Sequence, residues 1–349
     1  MGESNDNKRV ITDVYGKPGR FWDLHTDLIG PSQPSSRLKK LLGAGLAYNL
    51  IGIIAAIRIF FRRRHYDGIV TSGGASGIFL GLMQWLIPWG RKPHVMVDCN
   101  WYLSGSAWKN WIKRFHLRLI SPSVHRFVVW ANHEIEDYSD AFGIPQEKLE
   151  YVPFHSTMEG YEYCPRDEGY LFAGGNYDRD YGTLVNAVCG LKLPVWIATT
   201  IPENMNGINL PEHVRIEGTT EAGFRQAIAA AKLVVVPMAN GLLHSGGQQT
   251  CLNSMLLGKP TIAVGRKWAV DLIEDKVDGL IVDYGDVAGL RKAISWVIEN
   301  PDKAADLAVA GKRKAEKFTT QATMEAIYRL VTMQQETRAT GEQIKLLTS

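Results

Sequence analysis

The sequence predicts an α/β protein made of two doubly wound, Rossmann-like domains facing each other across a cleft. Short apolar runs alternate with helix-length segments in both halves of the chain, the pattern of parallel sheets covered on both faces. Several runs end in glycine pairs, and in open parallel sheets such loops lie at the carboxyl ends of the strands, where ligands bind. The chain has 349 residues, 45% hydrophobic and 21% charged, enough for two cores rather than one.

The stretch His244 to Pro260, HSGGQQTCLNSMLLGKP, lies between the strand-like runs LVVVP (Leu233 to Pro237) and TIAV (Thr261 to Val264). It reads as strand, glycine loop, helix, strand. Gly246 and Gly247 permit a tight turn, and a helix opening near Gln248 presents unpaired N–H groups and the positive end of its dipole. That is a place for a phosphate. Ser245, Gln248, Gln249 and Thr250 add donors and acceptors to the same mouth. The plainer alternative is a helix capped by Ser245 behind two turn glycines.

In chain order, VITDV at Val10 to Val14 is a short strand, followed by a loop rich in glycine and proline to about Ser36. Leu41 to Phe61 is nearly continuous apolar sequence, flanked by Arg37, Lys39 and Lys40 and by Arg62, Arg63 and Arg64. A membrane span needs ~20 such residues. Gly43, Gly45, Asn49, Gly52 and Arg58 favour instead a packed or surface-lying helix. YDGIVTSGGASGIF, Tyr66 to Phe79, places Gly73 and Gly74 at a strand end, and PHVMVDCNWY, Pro93 to Tyr102, places Asp98 and Trp101 at the next. Asp98 is a candidate catalytic base or a turn residue, and Gly73, Gly74 and Trp101 are candidates for an acceptor cleft.

Ser106 to Ile120 is a helix in which Trp108, Trp111, Ile112, Phe115 and Leu119 recur at helical spacing beside Lys109, Lys113, Arg114 and Arg118. Such a helix suits an anionic membrane surface, or else packs into the core with a solvated cationic face. His133 and His155 follow strand-like runs, where they would face the cleft or serve as ordinary loop or core histidines. The patterning then loosens, which divides the chain into a first domain at 1–155, a second at 156–320 and a crossover helix with tail at 321–349.

The alternation restarts at GYLFAGGNYDRDYGTLVNAV, Gly169 to Val188. Arg179 follows Gly174 and Gly175 and can act as a cationic clamp on a diphosphate at the Ser245 loop, or pair with Asp180 on the surface. Thr220 caps a helix over Glu221 to Ala231. The net charge of +3 gives no case for nucleic acid. Cys99, Cys164, Cys189 and Cys251 lack metal-ligand spacing and read as reduced thiols of a cytosolic setting. The polar start MGESNDNKRV has no apolar core of a signal peptide, and Gly2 reads as a chance start.

Five stretches, FAGGNYDRDYGTLVNAV, VRIEGTTEAGFRQAIAAAKLVVVP, GQQTCLNSMLLGKPTIAV, DLIEDKVDGLIVDYGD and LRKAISWVIENPDKAADLAVAGKRKAEKF, follow one another over roughly Gly169 to Phe318. In that order they resemble the nucleotide-sugar half of GT-B glycosyltransferases of the family-4-like (group 1) kind. HRFVVWA and IPQEKLEYVPF extend a looser similarity into the first half. The resemblance implies a GT-B fold and a hexosyltransferase, retaining in outcome, with a nucleoside-diphosphate sugar as donor and neither cofactor nor metal. It implies that Gly174, Gly175, His244 and the loop from Ser245 to Thr250 hold the donor, that Arg179 clamps it, that Asn253 binds ribose, and that a terminal helix near Met324 to Gln335 crosses back to the first domain. Ser245 and Asn253 stand where the family usually has two glutamates, so a charge near the sugar ring is missing. Taken with the basic, tryptophan-bearing first half, these features lead us to expect transfer onto a glycan or polyprenyl-linked acceptor, by an enzyme held peripherally at the cytoplasmic, inner face of an anionic membrane. SGGQQ and LGKP also resemble nucleotide-sugar 2-epimerases, although the chain lacks their GTRPE-like motif and has Thr250 where they have a glutamate. A non-catalytic subunit that binds nucleotide or glycan is the remaining alternative.

Overall fold

A computed structural model describes residues 9–15, 21–29 and 33–332 and divides into two compact units, one running to Val152 and resuming at Gln321, the other Pro153–Thr320. The first unit holds β1 (Val10–Thr12), β2 (Thr26–Leu28), β3 (Gly68–Ser72), β4 (His94–Val97), β5 (Arg126–Val129) and β6 (Leu149–Tyr151), in the order β2-β1-β3-β4-β5-β6. Its helices are α1 (Phe21–His25), α2 (Ser36–Leu42), α3 (Ala44–Arg62), α4 (Ala75–Leu86), α5 (Ala107–Ile120) and α6 (His133–Phe142). The second unit holds β7 (Leu171–Gly174), β8 (Val195–Ala198), β9 (Val214–Ile216), β10 (Leu233–Pro237), β11 (Thr261–Val264) and β12 (Leu280–Val282), in the order β12-β11-β10-β7-β8-β9. Its helices are α7 (Tyr181–Val188), α8 (Glu221–Ala230), α9 (Gln248–Leu256), α10 (Arg266–Ala269), α11 (Val287–Glu299) and α12 (Pro301–Ala315). All strand pairs in both sheets are parallel.

The sequence explains why these are buried parallel sheets. The central strand β10, LVVVP, is buried along its whole length, as a strand covered on both faces must be. Side-chain alternation then builds two cores in the second unit. Leu171 and Ala173 pack on one face with Tyr181, Val235 and Ile294, while Phe172 packs on the other with Val234, Met255 and Trp268.

Three readings need correction. The loop expected before Ser36 contains α1 and the edge strand β2, anchored by buried Trp22, whose Nε1 donates to the Val14 carbonyl at 2.8 Å. With three residues and one aspartate, β2 has no apolar signature to detect. The apolar run from Leu41 is not one helix, because Gly43 at φ +76° breaks it into α2 and α3. Of the basic flank, Arg63 is buried, its guanidinium 3.5 Å from the Phe60 ring centroid and donating to the Trp89 carbonyl at 2.8 Å. In α5 the tryptophan-bearing face lies outside the core, with Trp108 63% and Trp111 64% exposed, while Leu117 and Ile120 turn inward.

Helix α3 has the length and mean hydropathy, 1.8, of a membrane span. It is nonetheless seated on its own unit through small residues: a Cβ on Gly52 would lie 3.0 Å from the Ser76 nitrogen of α4. Ala55, Ala56, Ile59 and Phe60 are buried, while Leu46, Leu50, Ile54 and Ile57 face outward. Residues 320–332 are helical, and Tyr328 meets Phe21 edge-on at 5.3 Å within the first unit. The N-terminal residues before Arg9 and the part of the expected crossover helix and tail beyond 332 lie outside the described residues.

His94 of β4 is wholly buried with Nε2 2.8 Å from Thr71 Oγ1, and among the described residues its Nδ1 has no hydrogen-bond partner. Burial pushes its pKa from 6.5 down to about 3. The unfolded chain therefore binds a proton near pH 6.5 that the folded chain refuses. Stability is complete above that pH and lost as the pH falls toward 3, by about 1 kcal/mol per pH unit from this group. Urea denaturation at pH 7 and pH 5 should show a larger acid loss in the natural protein than in His94→Gln.

Candidate functional site

At the carboxyl end of β10 the chain enters the loop that leads to α9. Gly247 is the N-cap of α9 in the left-handed region, φ 82° and ψ −15°, with no side-chain hydrogen bond capping the helix. Ser245, two residues before that N-cap, is buried. A Cβ on Gly247 would fall 2.7 Å from Val236 Cγ1 and 2.8 Å from Met238 Sδ, so glycine is required for backbone angle and for space.

Arg179 follows β7 and turns back onto the same loop. Its Nε donates to the Gly174 carbonyl at 3.1 Å and its Nη1 to the Tyr177 carbonyl at 2.9 Å, with Met238 Sδ 2.8 Å away. A Cβ on Gly175, at φ +133°, would fall 2.6 Å from the guanidinium, and one on Gly246 would lie 3.6 Å from Nη1. Asp180 is not its partner: that carboxylate caps α7, accepting from the Thr183 nitrogen at 2.9 Å and its hydroxyl at 2.6 Å. Burial lowers the Arg179 pKa, yet a guanidinium stays charged in water-accessible protein. Among the described residues it forms no salt bridge.

Beside Arg179 opens a cleft of about 290 Å³ inside the second unit. Gly175, Arg179, Gln249, Thr250 and Asn253 line it, whereas Gly174, His244, Ser245, Gly246, Gly247 and Gln248 are not in its lining. The first turns of two helices meet there, Gln249 and Thr250 from α9 and Glu221 from α8, whose N-cap Thr220 accepts from the Gly223 nitrogen. Positive dipole ends, an unneutralised guanidinium and hydroxyl donors make an anion site. Asn253 lines the cleft and also has partners within the protein. Its Oδ1 accepts from Ser156 Oγ at 2.9 Å and from the Thr157 nitrogen at 3.0 Å, and its Nδ2 donates to Thr157 Oγ1 at 3.0 Å. Gln249 Nε2 also reaches Thr157 Oγ1, at 2.8 Å. Asn253 is thus chiefly a clamp on residues 156–157, with one amide N–H left for a ligand.

The first unit has its own polar cavity of about 510 Å³ at the ends of β1, β3 and β4. Asp98 lines it, at φ +52°, together with Gly74, Ser72, Ser76 and Asp13. Asp13 was not evident from the sequence, although it follows the strand VIT just as Asp98 follows VMV. Its Oδ1 accepts from the Ser72 nitrogen at 3.0 Å. Burial raises the Asp13 pKa and the Asp98 charge adds to this, against the hydrogen bonds of Ser76 and Ser72. Trp101 is mostly a core residue, packed against Phe127, Tyr138 and Phe142, with Nε1 donating to the Gly73 carbonyl at 2.8 Å. Gly73 has no room for a side chain, since a Cβ there would lie 2.8 Å from the Cys99 Cα. His133 opens α6 and lies 3.8 Å from Asp137, away from this cavity's lining. His155 in the second unit is 2.9 Å from the Ser156 carbonyl and 3.2 Å from Thr320 Oγ1, a loop contact. Thr157, Thr219 and Glu221 also went unnoticed in the sequence, because only folding brings them beside Arg179.

Residues 190–300 match the profile of the family described as Glycosyl transferases group 1. No curated protein sequence matches the chain. Among solved structures, HepE of Anabaena in complex with UDP is similar over 95% of this chain and 100% of its own, at 16% identity and a TM-score of 0.62. Sucrose-phosphate synthase of Thermosynechococcus elongatus is similar over 90% of this chain and 84% of its own, at 15% identity and a TM-score of 0.59. TarM is similar over 82% of this chain and 58% of its own, at 13% identity and a TM-score of 0.59. The chain has the GT-B fold of these proteins.

Asn253→Ala should cost about 1–3 kcal/mol in urea denaturation, because Ser156 and Thr157 lose a buried acceptor. A loss below a few tenths would show that the clamp is dispensable.

Proposed function

We propose that this chain, a GT-B protein carrying group 1 glycosyltransferase sequence over residues 190–300, transfers a sugar from a nucleoside-diphosphate donor to a glycan or lipid-linked acceptor. The observation that carries this reading is Arg179, a guanidinium held by backbone carbonyls, with no salt bridge among the described residues, lining one cleft with the first turn of α9. The donor diphosphate lies there, its oxygens on the first-turn N–H groups of α9 and on Arg179. Thr250 and Gln249 add donors, and the fixed guanidinium takes the charge-neutralising role that a divalent cation plays elsewhere. HepE has been solved with UDP-glucose, which makes a uridine nucleotide the first donor to try.

In the proposed reaction the bond between the sugar's anomeric carbon and the diphosphate oxygen breaks as the acceptor hydroxyl forms a new bond to that carbon. The hydroxyl proton passes to the departing diphosphate, and attack on the face it leaves gives retention. Arg179 and the α9 dipole stabilise negative charge that grows on the leaving group, so they act most strongly in the transition state. With Ser245 and Asn253 in place of the usual glutamates, positioning and leaving-group stabilisation carry the rate.

The first unit supports a peripheral place on the cytoplasmic face of an anionic membrane. Exposed Leu46, Leu50, Ile54 and Ile57 on α3, exposed Trp108, Trp111 and Phe115 on α5, and exposed Trp85 and Trp89 accompany the basic residues of α2 and α5. Apolar rings with adjacent cations are the composition of an interfacial surface.

UDP at a hundred times its Kd should stabilise the protein by about 2.7 kcal/mol, read as a raised melting temperature. Arg179→Gln should weaken nucleotide binding at least tenfold. An unchanged Kd removes Arg179 from the donor site. Released nucleotide with unmodified donor sugar marks transfer or hydrolysis, whereas an epimerised sugar overturns the transferase reading. Replacing Trp108 and Trp111 by serine should lower the fraction bound to anionic liposomes, and an unaltered fraction rejects the membrane placement.

A further inference from the structure

The polar cavity of the first unit does not end at its polar walls. At Asn49, Gly74 and Ala75 it adjoins a second cavity of about 500 Å³, enclosed by α3, α4 and α5. The two differ in chemistry. The first presents Asp13, Ser72, Ser76 and Asp98 beside apolar Val14, Ile29 and Ile51. The second is walled by Ile53 of α3, Ile78, Phe79 and Leu82 of α4, and Leu119 of α5, with His116 the titratable side chain in its lining.

The helices dictate this division. Asn49 and Ile53 are one turn apart and share a face of α3, and Ile57, exposed, continues that face by another turn. Gly52 brings α3 against α4 at Ala75 and Ser76, so the helices touch where the two cavities meet. Ile53, Ile78, Phe79 and Leu82 are only half-buried.

We infer that the groove between α3, α4 and α5 holds the hydrocarbon chain of an amphipathic acceptor whose uncharged polyol head lies against Asp13 and Asp98. This rests on the transferase reading and selects, from the acceptors that reading allows, one with a lipid tail. A soluble glycan would fill the polar cavity and leave the adjoining apolar walls wet, whereas a chain removes that surface from water at roughly 25 cal/mol per Å². The exposed aliphatic residues of α3 lead from the protein surface to the groove, so a chain can enter without crossing polar surface. The head is specified by charge. Carboxyl oxygens accept hydrogen bonds from sugar hydroxyls, and two neighbouring aspartates repel a phosphate.

The test is the affinity of the full chain for glucose and for hexyl, octyl and dodecyl glucoside, each below its micelle concentration, with octyl phosphate as the anionic comparison. Each added methylene should tighten binding roughly threefold. Free glucose should bind at least a hundredfold more weakly than octyl glucoside, and octyl phosphate at least tenfold more weakly. Ile53→Asn and Leu82→Gln, at half-buried positions, should each flatten the dependence on chain length, with an unchanged urea-denaturation midpoint confirming that the variant is folded. Affinity independent of chain length, a preference for octyl phosphate, or a dependence that survives both substitutions overturns the proposal. If none of these compounds binds, the proposal also fails. Loss of the donor reading has a separate signature: UDP fails to bind the natural protein while the chain-length series is retained.

Discussion

The second unit is arranged around one cation held by backbone carbonyls and the Met238 sulfur. Arg179 is fixed by the carbonyls of Gly174 and Tyr177, and its natural neighbour Asp180 is diverted to capping α7. An arginine neutralised by a carboxylate offers an anion little, because the incoming ligand must first displace the partner. Here the guanidinium is pre-oriented and its charge available. The glycines around it follow from the same constraint: Gly175 makes room for the guanidinium, and Gly247 lets the loop pack on Val236 and Met238 while entering α9 in a left-handed turn.

That arrangement also explains Asn253. Two helices present their first turns to the cleft, and Thr157 lines it between residues of both. Asn253 and Gln249 both hydrogen-bond Thr157, which ties α9 to the segment entering the unit. The side chain expected at the ligand is thus largely part of the frame that keeps the ligand site open. Buried polar groups engaged this fully fix geometry rather than add contact energy.

In the first unit the decisive feature is the approach of α3 to α4 at Gly52. It seats an apolar helix against the sheet unit through small residues and leaves its large aliphatic side chains outside. The same crossing separates a carboxylate-lined cavity from an apolar groove. A helix with the length and hydropathy of a membrane span can therefore serve as the wall of a binding cavity and as an exposed apolar surface at once.

Periodicity and punctuation were enough to determine the two parallel α/β sheets, the glycine loop before α9 and the Thr220 cap, because strand burial, left-handed turns and helix starts are local demands on nearby residues. Arg179 was legible for the same reason, since it follows its glycines directly. Tertiary structure alone decided which partner each polar group takes. Asn253 turned to Thr157, Arg63 to Trp89, and Trp101 into the core. Asp13 joined Asp98 although 85 positions separate them (98 − 13). Hydrogen-bond choice and the meeting of distant residues depend on how the elements pack, and a linear pattern carries the propensity of each element but not the neighbour it will meet.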